Sequence, residues 1–169
     1  MIAPAPILVT ALFAGEDQSW FEAQRRRHYP PGHNRVPAHL TLFHHLPPSL
    51  ADELTHRLGR ETRGVAPPQA RIAGLVSLDG GVAYRIESPA LSALRERLAE
   101  VFAGLLLPED AAAWRPHVTI QNKVAPAEAR ALLGRLRADF RPRAVRIAGL
   151  AAWWYRRGSW DPLSRHKFA

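Results

Sequence analysis

Two short segments occur twice along the chain, in the same order and at similar spacing, and this repetition most restricts the possible folds. Residues 71–75 read Arg-Ile-Ala-Gly-Leu, and the same five residues recur at 146–150. Residues 39–42 read His-Leu-Thr-Leu, and residues 117–120 repeat their type as His-Val-Thr-Ile. The copies are offset by 75 residues for the first segment and 78 for the second. The sequence therefore predicts a fold built from two similar halves, about 1–80 and 81–169, within a single domain.

The pattern of apolar residues predicts the same element order in both halves: strand, helix, strand, helix, strand. In the first half we expect strands at 7–13, 39–45 and 70–78, with helices at 17–27 and around Leu50, Leu54 and Leu58. Asp79-Gly80-Gly81 is a strong hairpin turn into the second half. There we expect strands at 82–87, 115–124 and 144–155, helices at 91–102 and from Pro126, and a last strand at 160–168.

Each repeated His-x-Thr segment lies on a predicted strand, where side chains alternate between the two faces. His39 and Thr41 should share a face with Phe43, while the intervening leucines enter the core. The second strand should likewise place His117, Thr119, Gln121 and Lys123 on one face. If a pseudo-two-fold axis relates the halves, the two His/Thr pairs meet in a cleft between them.

Two imidazoles and two hydroxyls around one point suit phosphodiester chemistry. A neutral histidine can take a proton from the attacking oxygen, and an imidazolium can protonate the leaving oxygen. The threonine hydroxyls can donate hydrogen bonds to non-bridging phosphate oxygens. No metal or other cofactor is required, and the sequence shows no acidic or cysteine cluster with metal-ligand spacing. The sequence leaves open which histidine is the acid and which the base.

Six further residues are candidates for substrate binding. Lys123 could meet a phosphate, and Tyr155 beside Arg156 could stack a base and contact its phosphate. His28 and Arg35 flank a proline-rich loop that leads into the first motif strand, and Phe43 follows the motif itself. For the basic residues, a solvated surface position is the alternative. Of the neighbours His44 and His45, only His45 is predicted to reach the cleft side.

The composition excludes some chemistries and limits the choice of partners. There is no cysteine, so disulfides, thiolate metal sites and a cysteine nucleophile are excluded. The net charge of +8 favours a polyanionic partner. However, 21 of the 23 basic residues are arginine, a bias that a GC-rich genome produces without any function. No apolar run is long enough to span a bilayer, and no basic residue precedes the short apolar start. We therefore expect a cytoplasmic protein with no membrane association.

The stretches Pro-Ala-His-Leu-Thr-Leu-Phe (37–43) and Trp-Arg-Pro-His-Val-Thr-Ile (114–120) carry a family resemblance. With them the chain resembles the 2H phosphoesterase superfamily and, within it, bacterial 2′-5′ RNA ligase-like proteins. The resemblance implies an α+β fold, duplicated and two-lobed, with antiparallel sheets, helices packed outside and a central cleft. It also implies that His39 and His117 are the acid–base pair and that Thr41 and Thr119 bind phosphate.

The resemblance further implies an enzyme that acts on phosphodiesters of RNA. The leading expectation is metal-independent hydrolysis of 2′,3′-cyclic phosphates at RNA ends or of small cyclic nucleotides. One alternative is a 2′-5′ RNA ligase or 2′-5′ phosphodiesterase that uses the same residues. Another is a non-catalytic module that binds RNA or nucleotides in the same cleft. We expect the protein to act as a monomer.

Overall fold

The computed structural model describes residues 4–169 and confirms the element order predicted for both halves. The strands are β1 (Ile7–Phe13), β2 (Leu40–Leu46), β3 (Gln69–Leu78), β4 (Gly81–Glu87), β5 (His117–Gln121), β6 (Arg143–Arg156) and β7 (Ser159–Lys167). The helices are α1 (Gly15–His28), α2 (Ala51–Thr62), α3 (Pro89–Val101), α4 (Pro108–Ala111) and α5 (Pro126–Ala138). The short helix α4 was not predicted. Strand β5 ends earlier than predicted, because the chain turns at Lys123, whose φ of 66° is left-handed.

All strand pairs are antiparallel, which confirms the predicted α+β fold of antiparallel sheets. The strand order is β2-β1-β6-β3-β4-β5, and β7 pairs with β6 outside this path. Strand β6 pairs with β3 over residues 143–146 and with β1 and β7 over the rest of its length. Strand β6 thus joins β1, β2 and β7 to β3, β4 and β5 in one seven-stranded sheet. Strand β3 from the first half of the chain lies beside β4 from the second. The division at about residue 80 stays a prediction.

One continuous apolar core joins the two halves. It includes Phe21 of α1, Leu54 and Leu58 of α2, and Leu91 of α3, each fully buried. On α2 and α3 the buried leucines recur at three- and four-residue spacing, which gives each of these two helices one apolar side: Leu54 and Leu58, and Leu91, Leu94 and Leu98. A smaller cluster forms where Leu132 and its neighbours on α5 pack against β4. Burial of this apolar surface is the main force that holds the halves together.

Each copy of the repeated pentapeptide contains a β-bulge at the same position. On β3, Ile72 and Gly74 oppose consecutive residues of β4, so Ala73 is the extra residue. On β6, Ile147 and Gly149 oppose consecutive residues of β1, so Ala148 is extra. A bulge bends its strand and increases the local twist. The sequence repeat therefore corresponds to a repeated irregularity of the backbone.

The two motif strands also carry a matched pair of bulges, immediately after each threonine. On β2, Thr41 and the residue at 43 oppose consecutive residues of β1, which leaves Leu42 as the extra residue. On β5, Thr119 and Gln121 oppose consecutive residues of β4, which leaves Ile120 extra. From each bulge onward, the alternation of faces is displaced by one residue.

No helix within residues 4–169 is long and apolar enough to cross a membrane. The cytoplasmic location and the monomeric state expected from the sequence stay predictions.

Candidate active site

The structure brings both His-x-Thr pairs to one cavity of about 690 Å³. His39 and Thr41 line it from the start of β2, and His117 and Thr119 line it from β5. The rest of the wall comes from β1, β2, α3, α4, the segment before β5 and the β6–β7 hairpin: Leu8, His44, Arg95, Glu109, Asp110, Ala112, Ala113, Trp114, Arg115, Tyr155 and Trp160. The two pairs from distant parts of the chain thus share a single recess.

Both histidines of the cavity are oriented by the same local hydrogen bond. Nδ1 of His39 lies 2.8 Å from the carbonyl oxygen of Pro37, and Nδ1 of His117 lies 2.7 Å from that of Arg115. A carbonyl oxygen only accepts hydrogen bonds, so in each ring Nδ1 carries the hydrogen and donates. Nε2 of each ring is therefore the nitrogen left to gain or lose a proton.

His39 lies in surroundings that disfavour its charged form. Burial lowers its pKa to about 4, with the positive charges of Arg25, His117 and His44 acting in the same direction and the hydrogen bond to Pro37 opposing them. The indole of Trp160 packs against its ring, and Trp153 stands behind Trp160 with ring centroids 5.9 Å apart. At neutral pH His39 is consequently uncharged, with a lone pair on Nε2.

Each motif strand accepts hydrogen bonds from side chains of the other half of the chain. Nη1 of Arg25, on α1, donates to the carbonyl oxygen of Thr119 at 2.9 Å. On α3, Nε of Arg95 donates to the carbonyl oxygen of Leu42 at 3.1 Å. Nε1 of Trp114 donates to the carbonyl oxygen of Thr41 at 3.0 Å. Because both arginines are almost fully buried, these bonds fix the position of each pair relative to the other half.

A buried carboxylate holds the third histidine of the cavity wall. Asp110, on α4, accepts the backbone N–H groups of His44 and His45 at 2.9 Å each, and its Oδ1 lies 3.1 Å from Nδ1 of His44. Burial alone would raise the pKa of Asp110, but these hydrogen bonds lower it below its usual range. The same carboxylate raises the pKa of His44.

The sequence profile of the 2′-5′ RNA ligase superfamily matches residues 14–159, which is most of the chain. This chain belongs to that superfamily. A Bacillus cytotoxicus protein whose name assigns it provisionally to the phosphoesterases is 29% identical over 120 residues, which cover 66% of this chain and 67% of the relative. The resemblance to phosphoesterases seen in the motifs is thereby confirmed.

Solved structures with the same fold include proteins from two bacteria. The crystal structure of TT0787 from Thermus thermophilus has a TM-score of 0.63 at 17% identity, covering 96% of this chain and 97% of that one. E. coli LigT complexed with NADP+ has a TM-score of 0.63 at 15% identity, and LigT complexed with 3′-AMP one of 0.60 at 16%. Both LigT comparisons cover 99% of each chain. They confirm the two-lobed fold.

The prediction that Phe43 faces the cleft is wrong. It is fully buried, and the guanidinium of Arg95 stacks on its ring at 4.4 Å. The reason is the bulge after Thr41, which turns two consecutive residues toward the core. The matching bulge on β5 buries Gln121, which was predicted to share the face of Thr119. The same displacement places His44 on the cavity wall, where His45 was expected.

Of the remaining candidates, only Tyr155 lines the cavity, where its side chain is 43% exposed. Arg156 points elsewhere and forms an ion pair with Asp161 at 3.0 Å. The others lie outside the cavity wall: Lys123 is exposed in a turn, Arg35 is exposed and donates to the carbonyl oxygen of Gly32, and His28 ends α1.

Four residues of the site were missed by the sequence analysis: Arg95, Asp110, Trp114 and Trp160. Trp114 begins the stretch 114–120 that carries the family resemblance, but no role followed from that. The other three lie outside the repeated segments, and Asp110 lies on the short helix that was not predicted. Within residues 4–169, no group of three or more His, Cys, Asp or Glu side chains is arranged to hold a metal ion. That the reaction needs no metal stays a prediction.

Proposed function

We propose that this protein hydrolyses 2′,3′-cyclic phosphodiesters, at RNA ends or in small nucleotides, by acid–base catalysis with two histidines. The observation that carries the proposal is the matched pair of imidazoles in one cavity. Each ring is fixed through Nδ1 and keeps Nε2 available, and each has a threonine hydroxyl two residues away. Superfamily membership supports phosphoester chemistry in general.

In the proposed reaction, His39 is the base and His117 the acid. Neutral His39 accepts a proton from water through Nε2 while the water oxygen attacks phosphorus. The bond from phosphorus to one ribose oxygen breaks, and the Nε2–H of protonated His117 supplies the proton to that oxygen. His39 ends protonated and His117 neutral, and exchange of one proton with solvent restores both. Thr41 and Thr119 donate hydrogen bonds to the non-bridging oxygens, where negative charge accumulates.

The aromatic part of the cavity supports a nucleotide as the substrate. Tyr155 and Trp160 lie opposite each other on the β6–β7 hairpin and both line the recess. A half-exposed aromatic ring offers a surface on which any base can stack. Related structures support this ligand class, since LigT was solved in complex with 3′-AMP, with ATP and with phosphate. We propose that the base of the substrate stacks on Tyr155.

The proposal is tested by following hydrolysis of adenosine 2′,3′-cyclic phosphate with EDTA present. We expect His39→Ala and His117→Ala each to lose about 10²–10⁴-fold in rate, the usual contribution of one acid–base group. His45→Ala is the control, because His45 is exposed and outside the cavity wall. Full activity in either cavity variant would remove the role proposed for that histidine. Loss of wild-type activity in EDTA would contradict the metal-free mechanism.

The superfamily description favours a second candidate activity, cleavage or formation of 2′-5′ linkages in RNA. The same residues can catalyse it, because a phosphodiester bond is opened and closed through the same transition state. An RNA with one 2′-5′ junction, incubated with the protein, separates this activity from simple opening of cyclic phosphates. Salt-dependent RNA binding with no turnover of either substrate would instead support a binding module.

A further inference from the structure

His44 is a third histidine of the cavity wall and is not used by the proposed mechanism. Its side chain is 41% exposed, and its Nδ1 is held by Asp110, a carboxylate that is only 1% exposed. Nδ1 donates to this carboxylate, so the free nitrogen of His44 is Nε2. The hydrogen bond to Asp110 raises the pKa of His44, although burial opposes it.

Hydrogen bonds to Asp110 hold the ring of His44 in one position. Asp110 also accepts the backbone N–H groups of His44 and His45, so both the ring and its backbone are tied to the same carboxylate. Arg95 completes the support, because Nη2 donates to the carbonyl oxygen of Asp110 at 2.7 Å while Nε donates to Leu42. An imidazole fixed in this way loses little side-chain entropy when it binds an anion.

His44 takes its partners from a different element than the two proposed catalytic histidines. Its ring contacts Asp110 and Glu109 of α4, whereas Nδ1 of His39 and Nδ1 of His117 each bind the backbone carbonyl oxygen two residues earlier in the chain. The Nε2 of His44 faces the exposed Glu109. An anion that replaces Glu109 at this nitrogen is then a group separate from the reacting phosphate.

We propose that His44 binds a second phosphate of the substrate, so that the preferred substrates carry one besides the cyclic phosphate. This inference rests on the proposed function. The contact proposed is the same for either source of the phosphate: a phosphate oxygen accepts the Nε2–H of the His44 imidazolium. The phosphate comes either from a 5′-phosphorylated nucleotide or from the neighbouring internucleotide linkage of an RNA end.

Five other charged or titratable groups bear on His44 and set the expected pH dependence. Glu109 lies on the solvent side, with Oε1 3.6 Å from Nε2, and it is 69% exposed. Asp110 and Arg95 lie behind the ring, and His39 and His117 line the same cavity. The exposed Glu109 pairs with His44 in the free protein and must move aside for a phosphate. Its removal should therefore strengthen phosphate binding.

The test is equilibrium binding by calorimetry, which needs no turnover. Adenosine 2′-monophosphate is compared with adenosine 2′,5′-bisphosphate and with a diadenosine bearing one internucleotide phosphate and a terminal 2′-phosphate. We expect the second phosphate to tighten wild-type binding about tenfold, the scale of one charge-assisted hydrogen bond. The ligand that shows the gain identifies the source of the phosphate.

Three variants and a pH series decide the role of His44. In His44→Gln the gain should disappear, in His45→Gln it should remain, and in Glu109→Gln it should increase. The wild-type gain should decline as the pH rises through the raised pKa of His44, because the imidazolium is lost. A gain that is equal in wild type and His44→Gln, or absent from wild type for both ligands, overturns this inference alone. Failure of the wild type to bind any of the three nucleotides contradicts the proposed function as well.

Discussion

The imidazole of His39 meets the indole of Trp160 edge-to-face, with the ring centroids 4.7 Å apart. The two residues come from opposite ends of the chain, and Trp160 reaches the cavity on the hairpin of β6 and β7. An indole in this position keeps water from one side of the imidazole. Since burial is the largest cause of the lowered pKa of His39, Trp160 helps to keep the proposed base uncharged.

Trp160→Ala should shift the pH range of activity. With the indole removed, water reaches His39, and its pKa should rise from about 4 toward the ordinary histidine value near 6.5. Activity requires neutral His39, so the acidic limb of the kcat/KM profile should move to higher pH. The profile can be checked against an NMR titration of the His39 ring. Trp154→Ala, an indole on β6 outside the cavity wall, is the control. Superimposable acidic limbs in the two variants would show that Trp160 does not set this pKa.

Asp110→Asn should destabilise the fold, whereas Glu109→Gln should not. The first change weakens three hydrogen bonds at a buried group, for which we expect a loss of about 1–3 kcal/mol in the free energy of unfolding. Glu109 is exposed, so its substitution should change stability by less than about 0.5 kcal/mol. Urea denaturation measures both.

The pH dependence of this stability has a definite sign. The pKa of folded Asp110 is lowered, so its contribution is present above the pKa of the unfolded carboxyl and is lost as the pH falls through the folded value. Asp110→Asn should therefore flatten the acidic part of the stability curve. Equal acid sensitivity in wild type and variant would argue that other carboxylates control acid unfolding.

The hydroxyls of Thr41 and Thr119 should matter for rate and not for folding. Both residues are only half-buried, so replacement by valine keeps the shape and removes one hydrogen-bond donor. We expect each Thr→Val variant to lose about 10²-fold in kcat, as for removal of a single donor from an oxyanion site. Thr→Ser retains the hydroxyl and should recover most of the rate. If valine and serine variants were equally active, the hydroxyls would have no part in the reaction.

Arg25→Met should loosen the second motif strand. Arg25 donates from Nε to Oδ1 of Asn34 at 2.9 Å and from Nη1 to the carbonyl oxygen of Thr119. Loss of these bonds leaves partly buried acceptors without this donor, at a cost of about 1–3 kcal/mol in unfolding free energy. Arg25→Lys should not restore it, because lysine lacks the planar fork of donors. The neighbouring exposed Arg26, replaced by Met, is the matched control for urea denaturation and for kcat.

The repeat and the apolar periodicity were sufficient to predict every long helix and every strand. They were also sufficient to bring two His/Thr pairs together, because strand alternation is reliable over the two residues from His39 to Thr41. The same alternation failed for the residues that follow Thr41 and Thr119. Phe43 and Gln121 were predicted on the wrong face because a bulge adds one residue to the alternation of side chains along each strand. No residue type in these strands indicates that bulge.

The supporting residues of the site could not be predicted from local sequence. Arg25 and Arg95 read as ordinary helix residues, and only the packing of each helix behind the opposite motif strand reveals their hydrogen bonds. Trp160 reaches His39 through the pairing of β7 with β6, a contact between residues far apart in sequence. Such contacts depend on the assembled sheet order, which the alternation and helical periods do not encode.

The pairing of β6 with strands of both halves limits how the halves can move and whether either can exist alone. The 14 residues of β6 pair with β3 at one end and with β1 and β7 over the rest, with the bulge at Ala148 close to the point where the partners change. Rotation of the halves about a hinge would have to break this strand, so substrates should enter a recess of nearly fixed width. For the same reason we expect that neither half folds alone. A strand that pairs with both halves ties the width of the recess to the whole sheet, so the site is fixed only while both halves are present.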